Sequence, residues 1–382
     1  MNTPADLPRL RDFFNSINWP KLEAEVAGEA RTRIVIVGPV NSGKSTLFNL
    51  LRGRNLSEVS AVPGTTKAAV TEGLGPFTLV DTPGFSEAGG EERAKLARAE
   101  IARAEVLVLL LDAAAGVRQS DLDLYSSLRA TSTPLIVALN KTDLVRRDLQ
   151  AVLDDLMFRL QGVQVIPISA RTGAGVADHL IPALIGASEA VAVVIGRALP
   201  AFRAQAAKRI ITTTSLWGLL LGTEPIPGLD LPVLLSMQAR MILRIAAIYG
   251  ESFSAHHARE LAVSMAGSLV ARYIGMELAK LVPGFGWVAS GIMAALSTLA
   301  MGKAAEAYFK SGRRLSIAQA GRLAQRLFRR PRTQAGIVLQ DAESPDVVEN
   351  DGVTKDAAAG DIVEGEVVEG EPPSPSISPD ER

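Results

Sequence analysis

One short segment of this chain has the residue types and spacing that phosphate binding requires. Residues 38–45 read Gly-Pro-Val-Asn-Ser-Gly-Lys-Ser and directly follow the apolar run of residues 34–37. Glycines in such a loop let backbone N–H groups turn inward around phosphate oxygens, and Lys44 adds a positive charge near the β and γ phosphates. The Ser45 hydroxyl can bind Mg²⁺, and a helix that begins near Lys44 directs its positive end at the anion. We therefore predict a nucleoside triphosphate site with Mg²⁺.

Two further polar turns, each at the end of an apolar run, add to this site. Asp81 opens the sequence Asp-Thr-Pro-Gly, where its carboxylate can hold the Mg²⁺ shell and the N–H of Gly84 can meet the γ-phosphate. Residues 140–143 read Asn-Lys-Thr-Asp, and Asp143 can accept hydrogen bonds from N1–H and the exocyclic amine of guanine. Adenine presents the opposite pattern, so a desolvated carboxylate would pair poorly with it. The predicted base is therefore guanine.

The remaining contacts with the base are predicted from two neighbouring segments. The stem of Lys141 can cover the ring, and a backbone N–H at Ser169 or Ala170, after the apolar run of residues 165–168, can reach guanine O6. The predicted catalytic residues are Lys44, Thr66 and Gly84, and the predicted Mg²⁺ ligands are Ser45, Thr66 and Asp81. The predicted nucleotide-binding residues are Gly38, Asn41, Ser42, Gly43, Lys44, Ser45, Thr46, Asn140, Lys141, Asp143, Ser169 and Ala170.

In this order, the segments resemble the P-loop GTPases of the translation-factor class, most closely the Era-like branch, over about residues 31–185. The resemblance implies an α/β fold with a doubly wound, mostly parallel sheet, hydrolysis of GTP, and a switch threonine that closes on Mg²⁺ and the γ-phosphate. Residues 63–67 match that switch, and we assign Thr66, with Thr65 as the alternative. Phe85 stands where many GTPases have a glutamine that orients water, so slow intrinsic hydrolysis is expected.

Asn41 has two interpretations that the sequence leaves open. Related proteins with asparagine at this position can use K⁺ in place of a missing charge-stabilising group, and the resemblance therefore implies K⁺ as a second cofactor. An ordinary hydrogen bond within the loop is the alternative.

Composition limits what else the chain can do. It has 382 residues, no cysteine and three histidines, which excludes disulfides and makes a zinc site unexpected. The formal net charge of −1 hides an asymmetry, since residues 341–382 hold thirteen acidic residues and two basic ones. Eight basic residues and no acidic ones lie within residues 310–332. The acidic tail, which we place at residues 333–382, is too poor in apolar residues to fold and is predicted to be disordered.

The order of elements predicts an N-terminal helical leader (1–30), a G domain (31–185) and an all-α domain (186–332). Apolar runs predict strands at 33–37, 77–81, 106–111, 135–139 and 164–168, with a shorter strand near 67–73. In the leader, Pro20 is expected to interrupt a helical stripe. Segments at 247–251, 282–287 and 298–302 resemble the YcjF-like helical domain over about residues 200–312, which implies a membrane-associated architecture.

Two features of the helical part favour a membrane. Residues 282–302 have no charge over about 21 positions, or roughly 31 Å of helix. Residues 310–332 predict a basic amphipathic helix that suits an anionic cytoplasmic leaflet. Residues 210–223 and 231–239 could form a hairpin that enters without crossing. A soluble helical domain with apolar inner faces is the alternative.

The leading interpretation is a regulatory GTPase whose switches alter a helical domain at the cytoplasmic face of a membrane, with a soluble cytoplasmic form as the alternative. Its partners would be GTP or GDP, lipid, and an effector or activating protein, and nucleic acid is not expected. The rival interpretations are an Era-like RNA or ribosome-assembly factor, and a membrane scaffold whose assembly GTP controls. The oligomeric state is left open.

Overall fold

The structure is a computed structural model of the chain. It describes residues 17–51, 76–80, 91–145, 148–223, 231–251, 257–265, 285–312 and 315–329. Two predicted segments, the strand near 67–73 and the acidic tail, lie outside the described residues. Five predicted site residues also lie outside them: Thr65, Thr66, Asp81, Gly84 and Phe85.

Five parallel strands form the sheet that organises the first half of the chain. They are β1 (Ile34–Val37), β2 (Phe77–Leu79), β3 (Val106–Asp112), β4 (Leu135–Asn140) and β5 (Val165–Pro167). The strand order is β2-β1-β3-β4-β5, and all four pairings are parallel. The order reverses between β1 and β3, which is where open α/β sheets bind ligands beyond the carboxyl ends of their strands. The predicted fold class and its five strands are confirmed.

Helices cover both faces of this sheet, which is why its strands are apolar throughout rather than alternating. The helices are α1 (Trp19–Glu29), α2 (Lys44–Leu51), α3 (Glu91–Ala102), α4 (Gln119–Arg129), α5 (Leu149–Arg159) and α6 (Ile181–Ala187). Alternate residues of the central strands point to opposite faces, so that Val35 joins the core beneath α4 and α5 whereas Ile34 and Ile36 join the core beneath α1, α2 and α6. The two faces therefore have separate hydrophobic cores.

The rest of the described chain is helical and extends the second of these cores. Its helices are α7 (Glu189–Ala198), α8 (Arg203–Gly222), α9 (Leu231–Ile248), α10 (Phe285–Lys310) and α11 (Ile317–Arg329), and residues 257–265 are also helical. One continuous cluster of buried side chains runs from Ile34 and Phe48 to Ile210, Met241 and Phe309. The sheet and the helical region thus share a hydrophobic core.

Small residues allow α8 and α10 to pack closely. Gly222 faces Gly291 so closely that a Cβ at Gly222 would lie 2.6 Å from the Cα of Gly291. Such contacts suit helix pairs in membranes and in soluble bundles alike. By length and composition, Trp287–Lys310 is the one helix among the described residues that could cross a membrane. However, 61% of the most apolar 18-residue stretch of this helix is buried inside the protein. A buried core helix of a soluble protein would meet the same criteria of length and composition.

The predicted helical stripe before Pro20 lies mostly outside the described residues. Pro20 itself lies in the first turn of α1, where a missing N–H costs nothing, and Asn18 caps that turn by accepting from the N–H of Lys21. One expectation about α11 is wrong. The apolar side of the basic segment is not free for lipid, because α11 buries Ala320, Ala324 and Phe328 against the shared core. Arg322 and Arg326 lie on its exposed face.

Candidate nucleotide-binding site

The loop after β1 has the backbone geometry of a phosphate-binding turn. Asn41 and Gly43 have left-handed backbone angles, with φ of 65° and 93°, and α2 begins at Lys44 as predicted. A side chain at Gly43 would collide with the carboxamide of Asn140, so both the angle and the space require glycine there. The Lys44 ammonium is buried and donates to the carbonyl oxygens of Gly38 and Pro39, each at 2.9 Å. The loop therefore holds its lysine from two sides.

The hydroxyl groups of this loop differ in how far they are exposed. Ser42 Oγ is fully buried and has no hydrogen-bond partner among the described residues, which is an uncommon state for a buried hydroxyl. Ser45 lies exposed at the first turn of α2, followed by the half-buried Thr46. An exposed hydroxyl at this position is the kind of hard oxygen ligand that Mg²⁺ prefers. The other predicted ligands, Thr66 and Asp81, lie outside the described residues.

Asn140 ties the phosphate loop to the predicted base-binding loops. Its side chain is buried, its amide donates to the carbonyl oxygen of Ser42 at 2.8 Å, and its own carbonyl oxygen accepts from the N–H of Ala170 at 2.8 Å. Ser42 is 98 residues and Ala170 is 30 residues away from Asn140 in the sequence. Asn140 therefore fixes the relative position of the loops.

Asp143 is held in place by two donors. Ser169 Oγ donates to Oδ1 at 2.7 Å, and the guanidinium of Arg171 lies 2.6 Å from Oδ2. The hydrogen bond from Ser169, aided by the charge of Arg171, outweighs partial burial and lowers the pKa of the Asp143 carboxyl below its ordinary value. The group is thus ionised at neutral pH and can accept two hydrogen bonds.

Two charged side chains that contact predicted site residues, Asp112 and Arg171, have no counterpart among the residues predicted from the sequence. Asp112 ends β3 beside Asn140 and binds the Lys141 ammonium at 2.6 Å, while its other oxygen accepts from the N–H of Ala114. This contact draws the lysine, which has a left-handed φ of 65°, across the end of the sheet. A signal for Asp112 existed, since it ends an apolar run as Asp81 and Asn140 do.

The contact of guanine O6 with a backbone N–H of Ser169 or Ala170 stays a prediction. The Ser169 N–H donates to the carbonyl oxygen of Ala174 at 2.9 Å, and the Ala170 N–H donates to Asn140. Both N–H groups are therefore engaged within the chain. The side chain of Ser169 instead has the positioning contact with Asp143 described above.

The described residues of the predicted site meet at one edge of the sheet. The loops after β1, β4 and β5 are joined there by hydrogen bonds through Asn140, and Asp112 adds the end of β3. This arrangement, with a helix starting at the phosphate loop, defines an α/β domain that binds a nucleotide at its topological switch point. In the described part of the chain, no group of three or more His, Cys, Asp or Glu residues could hold a metal.

Comparison with known proteins agrees with this class. Residues 33–141 match the family model described as "50S ribosome-binding GTPase", and residues 188–332 match that of "Domain of unknown function (DUF697)". Residues 33–141 are therefore similar to P-loop GTPase domains, and residues 188–332, whose described part is all-helical, are similar to the DUF697 domain.

The curated relatives are similar to less than half of the chain. A GTPase Der from Desulforudis audaxviator is 36% identical over 155 residues, which is 38% of this chain and 35% of that protein. A tRNA modification GTPase MnmE from a Synechococcus species is 32% identical over 47% of this chain and 39% of its own length. The chain thus spans less than half the length of these relatives. A structure of Era in complex with MgGDPNP and 16S ribosomal RNA covers 48% of this chain and 66% of that chain, at 24% identity and a TM-score of 0.35.

Proposed function

We propose that this protein binds GTP together with Mg²⁺ and hydrolyses it to GDP and phosphate. The observation that carries this proposal is the Asn140 bridge, which places the phosphate loop beside the ionised carboxylate of Asp143. Phosphate affinity and guanine selectivity are thereby combined in one site. The relatives with GTPase activity in their names support the same conclusion.

The residues of the proposed site have distinct roles. Gly38 and Gly43 let the loop close around the phosphates, and Lys44 neutralises the charge that develops on the transferred group. Ser45, with Thr66 and Asp81, would hold Mg²⁺, and the ion would supply positive charge against the phosphates. The Gly84 N–H would contact the γ-phosphate, and Asp143 selects the base. Phe85 offers no hydrogen bond to a water molecule, so the intrinsic rate is slow.

Metal removal tests the hydrolysis. Purified full-length protein is expected to release phosphate from GTP, and chelation of Mg²⁺ should lower the rate at least about tenfold, because the ion stabilises the charge of the transition state. Lys44→Ala should have a similar or larger effect. Phosphate release that is unchanged by both would contradict the proposal.

K⁺ dependence tests the interpretation of Asn41. This residue is exposed beside the phosphate loop, where a monovalent cation could add positive charge. We expect turnover about tenfold faster in K⁺ than in Na⁺, a difference of about 1.4 kcal/mol in the barrier. Asn41→Gly keeps the left-handed backbone without strain and should abolish the difference. Equal turnover of the wild-type protein in the two salts contradicts the role of K⁺.

The second part of the proposal is that nucleotide state controls the helical domain at the cytoplasmic face of a membrane. It is supported by the hydrophobic core that the sheet shares with this domain and by the length and composition of α10. It is also supported by ion pairs of Arg244 on α9 with Glu29, just before β1, and with Glu189 on α7. Full-length protein that stays soluble at low salt in a cell fractionation contradicts this part alone.

A ribosomal or RNA target is the second candidate. The description of the matching family and the Era complex with ribosomal RNA favour it, as does the excess of basic residues in the helical domain. RNA binding would be strongly weakened by salt, because it depends on phosphate contacts. Co-sedimentation with ribosomes at low salt, in cells whose membranes have been removed, separates the two candidates.

A further inference from the structure

Six large apolar side chains are exposed at one end of the helical domain. They lie on three different helices and are between 43% and 59% exposed. We call them the apolar tip: Leu216, Trp217 and Leu220 on α8, Val233 on α9, and Val288 and Ile292 on α10. Single exposed apolar residues are ordinary, but a group of this size marks an interaction surface.

Contacts between the helices show that these side chains share one end. Gly222 of α8 packs against Gly291 of α10, and Gly218 packs against Leu234 of α9 and Ala294 of α10. The inner faces of the three helices thus meet each other. The exposed side chains of the apolar tip lie on the faces of these helices that point away from those contacts.

The described helical segments that carry the tip have no charge. Within the parts of α8, α9 and α10 that the structure describes, residues 210–222, 231–239 and 285–302 have no charged member. Charge begins again at Arg209, Arg240 and Lys303, near the level where Gly302 touches Ile211 and Met241. Arg209 donates to the carbonyl oxygen of Gly186, Arg240 pairs with Glu25, and Lys303 pairs with Glu306.

The charge of the remaining helical surface indicates the partner. Among the described residues of 199–329, eleven are basic and three are acidic. Two of the basic residues, Arg240 and Arg244, are paired with glutamates outside this range, and nine others remain. Arg322 and Arg326 on α11 are exposed, because the apolar side of that helix packs inward. An uncharged tip on a positively charged body is complementary to hydrocarbon beneath anionic headgroups.

We propose that the apolar tip inserts into an anionic bilayer and is the membrane-binding surface of this protein, an inference that rests on the proposed membrane role. Insertion is shallow, since Glu224 and Asp230 lie between α8 and α9 in the sequence, and charged carboxylates are costly at the bilayer centre. Trp217 then lies in the interfacial region, where tryptophan is enriched.

Vesicle binding of the full-length protein tests this surface. The tip variant combines Leu216→Ser, Leu220→Ser and Ile292→Ser, and its affinity for mixed phosphatidylcholine–phosphatidylglycerol vesicles should fall about 100-fold or more. The control is Phe158→Ser, because Phe158 on α5 is 85% exposed but lies in the GTPase domain, and its affinity should be unchanged. Circular dichroism and GTP binding verify that both variants fold.

Fluorescence quenching of Trp217 measures the contact between the apolar tip and lipid directly. With Trp19 and Trp287 replaced by phenylalanine, lipid-attached quenchers near the headgroups should quench Trp217 in the vesicle-bound protein. A folded tip variant that binds vesicles as the wild-type protein does, or an unquenched Trp217, overturns the inference and leaves the membrane role intact. A wild-type protein that binds no vesicles overturns both this inference and the proposed membrane role, but it does not contradict the proposed GTP hydrolysis. A wild-type dimer that the tip variant dissociates without lipid also overturns it, because the tip would then contact a second copy of the chain.

Discussion

Asp143→Asn is expected to lower the affinity for GTP about 1000-fold, or ~4 kcal/mol. The aspartate accepts two hydrogen bonds from guanine with a full negative charge, and each such bond contributes about 1.5–3 kcal/mol. The amide has one acceptor and one donor, so it faces the exocyclic amine of guanine with another donor. Titration of the purified variant with a fluorescent guanine nucleotide measures the change.

Xanthosine triphosphate shows whether this loss is specific. It has a carbonyl oxygen where guanine has the amine, so the introduced amide can donate to it, and the variant should bind it more tightly than GTP. Asp148→Asn is the matched control, because Asp148 is an exposed carboxylate at the start of α5 and should not affect nucleotide binding. Equal losses for both nucleotides would indicate damage to the fold, and an unchanged GTP affinity would remove Asp143 from the site.

Arg244→Met is expected to lower the free energy of unfolding by about 3 kcal/mol. The guanidinium binds both oxygens of Glu29 at 2.7 Å and also pairs with Glu189, so it joins α1, α7 and α9. Burial alone would lower the pKa of Arg244, but the hydrogen bonds and charges of the two glutamates outweigh it and raise the pKa. Removing the arginine leaves two carboxylates close together in a largely buried place.

Arg240→Met provides a matched comparison on the same helix. Arg240 pairs with Glu25, but the two side chains are 37% and 36% exposed, against 11% for Arg244. Exposed pairs contribute about 1 kcal/mol or less, so this variant should be nearly as stable as the wild-type protein. Urea unfolding of the two variants measures the difference. Equal stability losses would show that burial does not set the strength of the Arg244 contacts.

Much of the fold could be predicted because its signals are local. Each strand is an apolar run that ends in a turn, and the phosphate loop is defined by eight consecutive residues. Asp143 and Asn140 were identified for the same reason, since each lies in one short motif at the end of β4. Strand ends that bind ligands gather at one edge once the strands are known to be parallel.

Long-range contacts could not be predicted. Nothing near Asn140 in the sequence shows that its amide reaches Ser42, 98 residues away, or that Arg171 shares Asp143 with Ser169. The amphipathic pattern of α11 indicates an apolar side but not what that side packs against, so lipid was expected where the structure has protein. A proline can follow the end of one helix or begin the next, and only the cap at Asn18 shows that Pro20 lies in the first turn of α1.

The central claim is that one site combines triphosphate binding with selection of guanine. The affinities of purified wild-type protein for GTP and ATP, measured with Mg²⁺ in the same buffer, test it most directly. We expect GTP to bind at least about 1000-fold more tightly, since adenine leaves the Asp143 carboxylate without its donors. Equal affinities for the two nucleotides would contradict the account.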